Sequence, residues 1–187
     1  MDCAGILLTG GSSRRLGFDK ATVRIGDETL AGRAARVLAA VCSPVVEVGP
    51  GHTGLPTVRE EPPGSGPLAA LVAGAAALAC DRVLLLACDL ARVEPPLLRL
   101  IAEWDGAPTA VPVVGGQQQL VCARYGPDAL ALAPSLLAAG ERSLRALVAR
   151  LDADEVDAAH WGAVAGDEAF ADLDTPSDLE RLGLDRP

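Results

Sequence analysis

One stretch near the start of the chain constrains both the fold and the chemistry. It runs Ala4-Gly-Ile-Leu-Leu-Thr-Gly-Gly-Ser-Ser-Arg-Arg-Leu-Gly-Phe-Asp-Lys20, an apolar run of strand length that breaks into glycines and ends in basic residues. Glycines adopt backbone angles that place several N–H groups on one side of a turn, and such a row of donors binds anions, chiefly phosphate. The stretch therefore predicts a buried strand that leads into a phosphate-binding loop.

This stretch does not match the sequence patterns of the known phosphate-binding loops. A Walker loop requires Gly-Lys-Ser/Thr, whereas Lys20 follows Asp19 and precedes Ala21. A dinucleotide fingerprint requires Gly-x-Gly-x-x-Gly, a spacing that the glycines here do not have. A Gly/Ser turn with solvated arginines remains the alternative interpretation.

A second informative stretch lies at residues 58–68. Its prolines and glycines predict a stiff, irregular loop, and Pro67 is suited to the first turn of a helix, where its missing N–H costs nothing. A helix that begins beside a rigid loop can present backbone groups to a base or an anion. An ordinary strand-to-helix connection would have the same composition.

The third stretch ends in a carboxylate. Val83 to Ala87 is a continuous apolar run, which is typical of a strand covered on both faces. Ligands of such sheets bind beyond the carboxyl ends of the strands, where Asp89 would lie. Mg²⁺ takes one or two carboxylates together with substrate phosphates, so Asp89 is a candidate metal ligand. The alternative is that Asp89 caps a turn.

The remaining pattern alternates apolar strands and helices, which predicts an α/β sandwich within a single domain spanning residues 1–187. We predict strands at 45–48 and 109–114, helices at 28–41, 68–78, 95–104 and 128–139, with Pro134 interrupting the last, and an edge hairpin formed by 109–114 and 117–125. Because only 3% of the residues are aromatic, the core must consist of Ala, Leu and Val.

Charge and cysteine content exclude several functions. The net charge of −9 argues against general nucleic-acid binding. The five cysteines form no Cys-x-x-Cys pair and are interpreted as reduced thiols in a cytoplasmic protein. No signal peptide is evident, and no apolar stretch reaches the roughly 20 residues that span a bilayer, so no membrane association is expected.

The motif Gly-Gly-x-Ser-x-Arg-x-Gly-x-Asp-Lys after an N-terminal strand resembles that of nucleotidyltransferases, most closely the molybdenum cofactor guanylyltransferases. Two other segments are similar to the same family: Glu61-Pro-Pro-Gly-Ser-Gly-Pro-Leu68 and the closing Phe170-Ala-Asp-Leu-Asp-Thr-Pro176. The resemblance implies a three-layer α/β/α sandwich, with a Rossmann-like, mostly parallel sheet that contains one reversed strand. It also implies transfer of GMP from GTP to a molybdopterin-type phosphate, with Mg²⁺ as cofactor and release of pyrophosphate.

The resemblance assigns roles to individual residues. The implied catalytic residues are Arg15, Lys20 and Asp89. The implied nucleotide contacts are Leu8, Thr9, Gly10, Gly11, Ser13, Lys20, Glu61, Gly66, Pro67, Leu68 and Asp89. Arg142 and Ser143 would contact the acceptor, with surface arginines on a helix as the alternative. The metal ligands would be Asp89 and Asp172, with Asp174 an alternative to Asp172 that is equally suited to capping the last helix.

Alternatives to guanylyl transfer stay open at this point. One is a nucleotidyltransferase with another substrate pair, such as CTP with molybdopterin or with a sugar phosphate. The other is a degenerate domain that binds a nucleotide and regulates a partner. Two departures from the family pattern keep the regulatory domain open: the missing proline after Leu90, and the altered segment Gln117 to Gln119. Thr9 is also unusual, since Ala is expected there in both the guanylyltransferases and the related CTP-using family. A molybdoenzyme or a chaperone is a possible partner.

Overall fold

A computed structural model describes residues 3–10 and 17–184. The strands are β1 (Ala4–Leu8), β2 (Arg24–Ile25), β3 (Glu28–Thr29), β4 (Val45–Val48), β5 (Thr57–Val58), β6 (Val83–Ala87), β7 (Ala110–Val114), β8 (Gln117–Gln118), β9 (Cys122–Tyr125) and β10 (Asp154–Val156). The α-helices are α1 (Leu30–Ala39), α2 (Pro67–Leu78), α3 (Pro95–Ala102), α4 (Pro127–Ala138), α5 (Leu144–Val148), α6 (Ala158–Trp161) and α7 (Pro176–Leu182). Lys20–Thr22 and Asp167–Phe170 form 3₁₀ turns.

The main sheet has the strand order β10-β7-β9-β6-β1-β4-β5, with β8 paired to β7. β1 runs parallel to β4 and β6, β4 to β5, and β10 to β7, whereas β9 runs antiparallel to both β6 and β7. The expected mostly parallel sheet is therefore confirmed. β9 is the reversed strand in its interior, and the two-residue strand β8 also runs antiparallel to its partner β7.

The predicted edge hairpin is wrong in one respect. β7 and β8 do form a tight antiparallel pair, but β9 lies inside the sheet between β6 and β7. All four residues of β9 are buried. A strand buried in this way needs cover on both faces and hydrogen-bonding partners on both edges, which only an interior position supplies.

Alternate residues of the central strands build the two faces of the core. Leu7, Leu84 and Leu86 pack with α1 and α3 on one face. Ile6 and Leu85 pack with α2, α4 and α5 on the other. Period-two alternation of buried side chains is what a strand covered on both sides requires, and the result is the expected three-layer sandwich.

Small residues let helices approach the sheet closely. A Cβ on Gly74 of α2 would lie 2.8 Å from Cδ1 of Ile6, and a Cβ on Gly5 would lie 2.9 Å from Cγ of Leu38 in α1. Neither position could carry a larger side chain without moving its neighbour. The shortage of aromatic residues is thus matched by closely spaced layers.

Two helix predictions need correction. α1 begins at Leu30 rather than at 28 because Thr29 is its N-cap, with Oγ1 accepting from N of Gly32 at 3.1 Å. α4 continues through Pro134, which is exposed, so water can replace the hydrogen bond that proline removes. The short elements β5, β10 and α6 have too few residues to show a period in the sequence. Within residues 3–10 and 17–184, no helix has the length and apolar character to cross a bilayer.

Candidate active site

The carboxyl ends of three strands meet at one edge of the sheet. Leu8 at the end of β1 is paired with Val48 of β4 on one side and with Ala87 of β6 on the other. The residues that follow these strands therefore converge, as expected for ligand sites of parallel sheets. A cavity of about 820 Å³ opens there, which is within the range of small-ligand sites.

Most of the predicted site residues that the structure describes border this one cavity. They are Leu8, Thr9, Gly10, Lys20, Gly66, Pro67, Asp89 and Asp172. Glu61, Leu68, Arg142 and Ser143 are not among its lining residues. Gly11, Ser13 and Arg15 lie outside the described residues, so their assignments stay predictions.

A short helical turn presents Lys20. The turn Lys20–Thr22 is capped by Asp19, whose Oδ1 accepts from N of Ala21 at 3.0 Å. Nζ of Lys20 lies 3.2 Å from Oδ2 of Asp89 and also contacts Oδ1 of Asp174. Burial lowers the pKa of Lys20, but the contacts with Asp174 and Asp89 outweigh it and leave that pKa raised. The ammonium thus keeps its charge at neutral pH.

Asp89 carries the opposite charge in a crowded acidic environment. Burial raises the pKa of its carboxyl, Lys20 opposes that effect, and the charges of Asp172 and Asp174 reinforce it. Among the described residues, Asp172, Asp174 and Lys20 are the charged groups that act on Asp89, so the acidic groups outnumber the basic one. Such a place favours a further cation.

The turn after Asp89 forms without the proline that the family pattern leads one to expect. N of Ala91 donates to O of Asp89 at 3.0 Å. Arg33 of α1 then holds the following segment, with Nε donating to O of Ala91 at 3.0 Å and Nη2 to O of Val93 at 3.1 Å. An arginine from a neighbouring helix thereby fixes the backbone that carries the carboxylate.

The closing segment separates the roles of two aspartates that the sequence left open. Asp172 borders the cavity, and Asp174 contacts Lys20. The N-cap of α7 is Thr175, and Asp178 completes a capping box, with its Oδ2 accepting from N of Thr175 at 2.8 Å and from N of Asp174 at 3.0 Å. Arg181 first, and then Thr175, lower the pKa of Asp178. Asp174 is thus left to face Lys20 rather than to cap α7.

The loop before α2 brings a different glutamate to the cavity from the one predicted. Glu60 lines it, and its Oε1 accepts from N of Gly64 at 2.8 Å, whereas Glu61 is exposed. Gly66 has φ +95°, and a Cβ there would lie 3.3 Å from O of Arg142. The Leu68 side chain is buried in the core, with its N donating to that same carbonyl at 3.4 Å. An irregular loop has no repeating pattern of buried and exposed positions. The sequence therefore offered no reason to choose Glu60 over Glu61 as the residue that lines the cavity.

Arg142 and Ser143 have structural partners. Nη1 of Arg142 donates to O of Leu137 at 3.0 Å, at the end of α4. Oγ of Ser143 accepts from N of Ala146 at 3.4 Å and so caps α5. At Gly66, the nearest atoms of Arg142 are its carbonyl oxygen and its Cβ. Acceptor contacts by these two residues stay a prediction.

Thr9 does not offer its backbone donor to a phosphate. Its N donates to O of Val48 at 3.1 Å, which extends the pairing of β1 with β4. Its hydroxyl donates to Oε1 of Glu47. Glu47 is a fully buried acid to which the sequence reasoning assigned no role. The feature of the sequence that could have drawn attention to Glu47 is its position as the one charged residue in the otherwise apolar strand Val45–Val48.

The fold and this site define a nucleotidyltransferase-type domain, and comparison with known proteins agrees. Residues 5–170 match the family described as MobA-like NTP transferase domain. A Chloroflexus aggregans protein named "Probable molybdenum cofactor guanylyltransferase" is 34% identical over 96% of this chain and 93% of its own. One of the same name from Pelotomaculum thermopropionicum is 31% identical over 96% and 91%.

A solved structure, that of molybdopterin-guanine dinucleotide biosynthesis protein A from Archaeoglobus fulgidus, superposes with a TM-score of 0.81. It covers 95% of each chain at 19% identity, which speaks for the fold alone. The chain belongs to the MobA-like NTP transferase family.

Proposed function

We propose that this protein transfers GMP from GTP to the phosphate of a molybdopterin-type cofactor, forming a guanine dinucleotide cofactor and pyrophosphate. The observation that carries the proposal is the meeting of Lys20 and Asp89, 3.2 Å apart, at a cavity also bordered by Gly10 and by the Gly66-Pro67 loop. The nature of the acceptor rests on the relatives' names, since a pterin has no signature among the described residues.

The chemistry joins two phosphates. An oxygen of the acceptor phosphate bonds to the α-phosphorus of GTP, the bond from that phosphorus to the bridging oxygen breaks, and pyrophosphate leaves with the electron pair. No protein nucleophile is needed, so the protein acts by positioning and by electrostatics. Lys20 supplies positive charge beside the reacting phosphate, and Asp174 and Asp89 fix where that charge lies.

The residues fit a divalent cation. Asp89 and Asp172 border the same cavity, and their mutual repulsion contributes to the raised pKa of Asp89. Two carboxylates at the cavity suit Mg²⁺, because it is usually held by one or two carboxylates plus substrate phosphates. When bound, the cation would screen the repulsion between the two phosphates. Asp89 and Asp172 would be its protein ligands.

The base would lie toward the loop before α2. Glu60 provides an acceptor there, and guanine presents two adjacent N–H donors on its Watson–Crick edge, which cytosine does not. Backbone groups around Gly66 and Pro67 border the same side of the cavity. This is the support for guanine over cytosine, with Glu60 taking the place proposed from the sequence for Glu61.

The test is a pyrophosphate-release assay with Mg²⁺, molybdopterin and each nucleoside triphosphate, with a sugar phosphate as the competing acceptor. We expect turnover with GTP and molybdopterin, and a dinucleotide product detected by mass spectrometry. Turnover with CTP alone would identify a cytidylyltransferase. Binding of GTP without transfer to any acceptor would identify a regulatory domain.

A further inference from the structure

The loop of residues 49–53, here called the clasp loop, lies against the site without belonging to any predicted motif. Gly49 and Pro50, which follow β4, line the same cavity as Asp89. A Cβ on Gly49 would lie 2.2 Å from Oγ1 of Thr9 and 2.8 Å from N of Gly10. The clasp loop therefore touches the start of the glycine-rich stretch directly, with no room for a side chain between them.

A buried carboxylate organises this loop. Oε1 of Glu47 accepts from N of Gly51 at 2.9 Å and from N of His52 at 2.8 Å, in addition to the hydroxyl of Thr9. Oε2 accepts from N of His52 at 3.0 Å, and from N and Oγ1 of Thr53 at 3.0 and 2.7 Å. Burial works against the charge, but these hydrogen bonds lower the pKa of Glu47. The group is thus a carboxylate surrounded only by donors.

The clasp loop also reaches the residue before Lys20. Nε2 of His52 lies 3.0 Å from Oδ2 of Asp19. The two are not aligned for a hydrogen bond, and this nitrogen is buried without a hydrogen-bonding partner among the described residues. Asp19 in turn caps the turn that presents Lys20. One loop therefore contacts both Thr9, at the end of β1, and Asp19, at the start of the lysine turn.

We infer that Glu47 is a positioning residue for the nucleotide: through the clasp loop it fixes Thr9 and Gly10 relative to Asp19 and Lys20, and so sets the affinity for the nucleoside triphosphate. The inference rests on the proposed function for the identity of that nucleotide. Glu47 itself does not line the cavity, so it acts on the ligand only through the residues that it holds.

The test compares Glu47→Gln with Glu155→Gln. The same change at Glu155, an exposed acid on β10 at the far edge of the sheet, serves as the matched control. Both carboxylate oxygens of Glu47 accept hydrogen bonds, so in Glu47→Gln the NH₂ group of the new amide must face N–H or O–H donors in either orientation. One set of these hydrogen bonds is therefore lost. We expect the Kd and KM for GTP to rise about tenfold while kcat changes less than about threefold, and we expect the control to match the wild type.

GTP binding measured by calorimetry, with no acceptor present, separates this inference from the transfer reaction. If the wild-type protein binds GTP but transfers nothing, the proposed function is wrong. The role of Glu47 can still be tested in that case, by comparing the Kd for GTP of the wild type with that of Glu47→Gln. A folded Glu47→Gln variant with an unchanged Kd for GTP would show that Glu47 is not a positioning residue for the nucleotide. Hydrogen exchange should also show faster exchange of the amides of residues 51–53 in that variant, and unchanged exchange would count against the inference.

A second pair of variants covers the case in which Glu47→Gln does not fold. Thr53→Val removes one donor to Oε2 at nearly constant volume, and Thr53→Ser retains the hydroxyl. We expect the Kd for GTP to rise about threefold or more in the valine variant and to be restored in the serine variant. Equal Kd values for the two would show that the hydroxyl does not contribute to positioning.

Discussion

Nζ of Lys20 lies 3.2 Å from Oδ2 of Asp89, although 69 positions separate the two residues in the chain. Strand β1 and strand β6 are adjacent and parallel, so the segments that follow them emerge at the same edge of the sheet. Their side chains are only 19% and 22% exposed, which limits screening of the pair by water. A nucleotide bound at this edge would lie against both the ammonium of Lys20 and the carboxylate of Asp89, which we propose as a metal ligand.

Replacement of Lys20 should abolish catalysis and leave the fold intact. Lys20→Met keeps the apolar stem and removes the charge, so we expect kcat to fall by about 10² to 10³, a typical loss for one electrostatic group. Pyrophosphate release measures the rate, and circular dichroism measures the fold. Arg36→Met removes an exposed cation that pairs with Glu28 and should leave kcat unchanged. Normal turnover of Lys20→Met would contradict the assignment.

The two aspartates at the ends of β6 provide a matched test of the metal site. Asp89 follows the strand at the cavity, and Asp81 precedes it at the opposite end and is exposed. We expect Asp89→Asn to lower kcat at least about 10²-fold and to raise the Mg²⁺ concentration needed for half-maximal rate, and Asp81→Asn to have no effect on either. Chelation by EDTA should stop the wild-type enzyme, and added Mg²⁺ should restore it. Equal Mg²⁺ dependence in all three proteins would remove Asp89 from the metal site.

Replacement of Glu60 should alter base selection, whereas replacement of Glu61 should not. Glu60 faces the cavity and Glu61 does not. Glu60→Gln should therefore lower the ratio of kcat/KM for GTP over CTP by about tenfold or more, the typical cost of one mismatched polar contact. Glu61→Gln should leave that ratio unchanged. The reverse result would return the base contact to the residue that the sequence favoured.

Glu47 should make stability depend on pH in a predictable direction. Its pKa in the folded protein lies below the ordinary value of 4.5 because Thr9, Thr53 and the amides of the clasp loop hydrogen-bond the charged form despite burial. The stabilisation is therefore complete above pH 4.5 and is lost as the pH falls through the folded-state pKa. Denaturant unfolding from pH 7 to pH 3 should show a steeper loss in the wild type than in Glu47→Gln. Parallel curves would mean that Glu47 does not titrate with unfolding.

The buried Arg124 on β9 should be required for stability but not for catalysis. Its guanidinium, 1% exposed, donates to O of Pro108, Ala102, Trp104 and Ala107 at 2.7 to 3.0 Å. Arg124→Met would leave these carbonyls without the donor and lower the free energy of unfolding by about 3 kcal/mol. The KM for GTP of the folded fraction should be unchanged, since Arg124 does not line the cavity.

The parts of the fold that could be predicted are those set by local pattern. The apolar runs at Val45–Val48 and Val83–Ala87 are strands with the predicted bounds. The interior position of β9 depends on its pairing with β6, which is distant in sequence, so no local pattern reveals it. The contact between Lys20 and Asp89 could be predicted because the segments that carry them follow adjacent parallel strands, whereas their roles in catalysis stay predictions. Glu47 could not, because its role depends on donors supplied by a loop whose path the sequence leaves open.

The direction of β9 has a consequence for how this enzyme class diversifies. Because that strand runs against its neighbours, its beginning rather than its end reaches the catalytic edge, and Val121 just before it borders the cavity while its carbonyl accepts from N of Ala87 at 2.8 Å. Insertions between β8 and β9 would therefore change one wall of the cavity. The wall at Lys20 and Asp89, which belongs to other segments of the chain, would keep its shape.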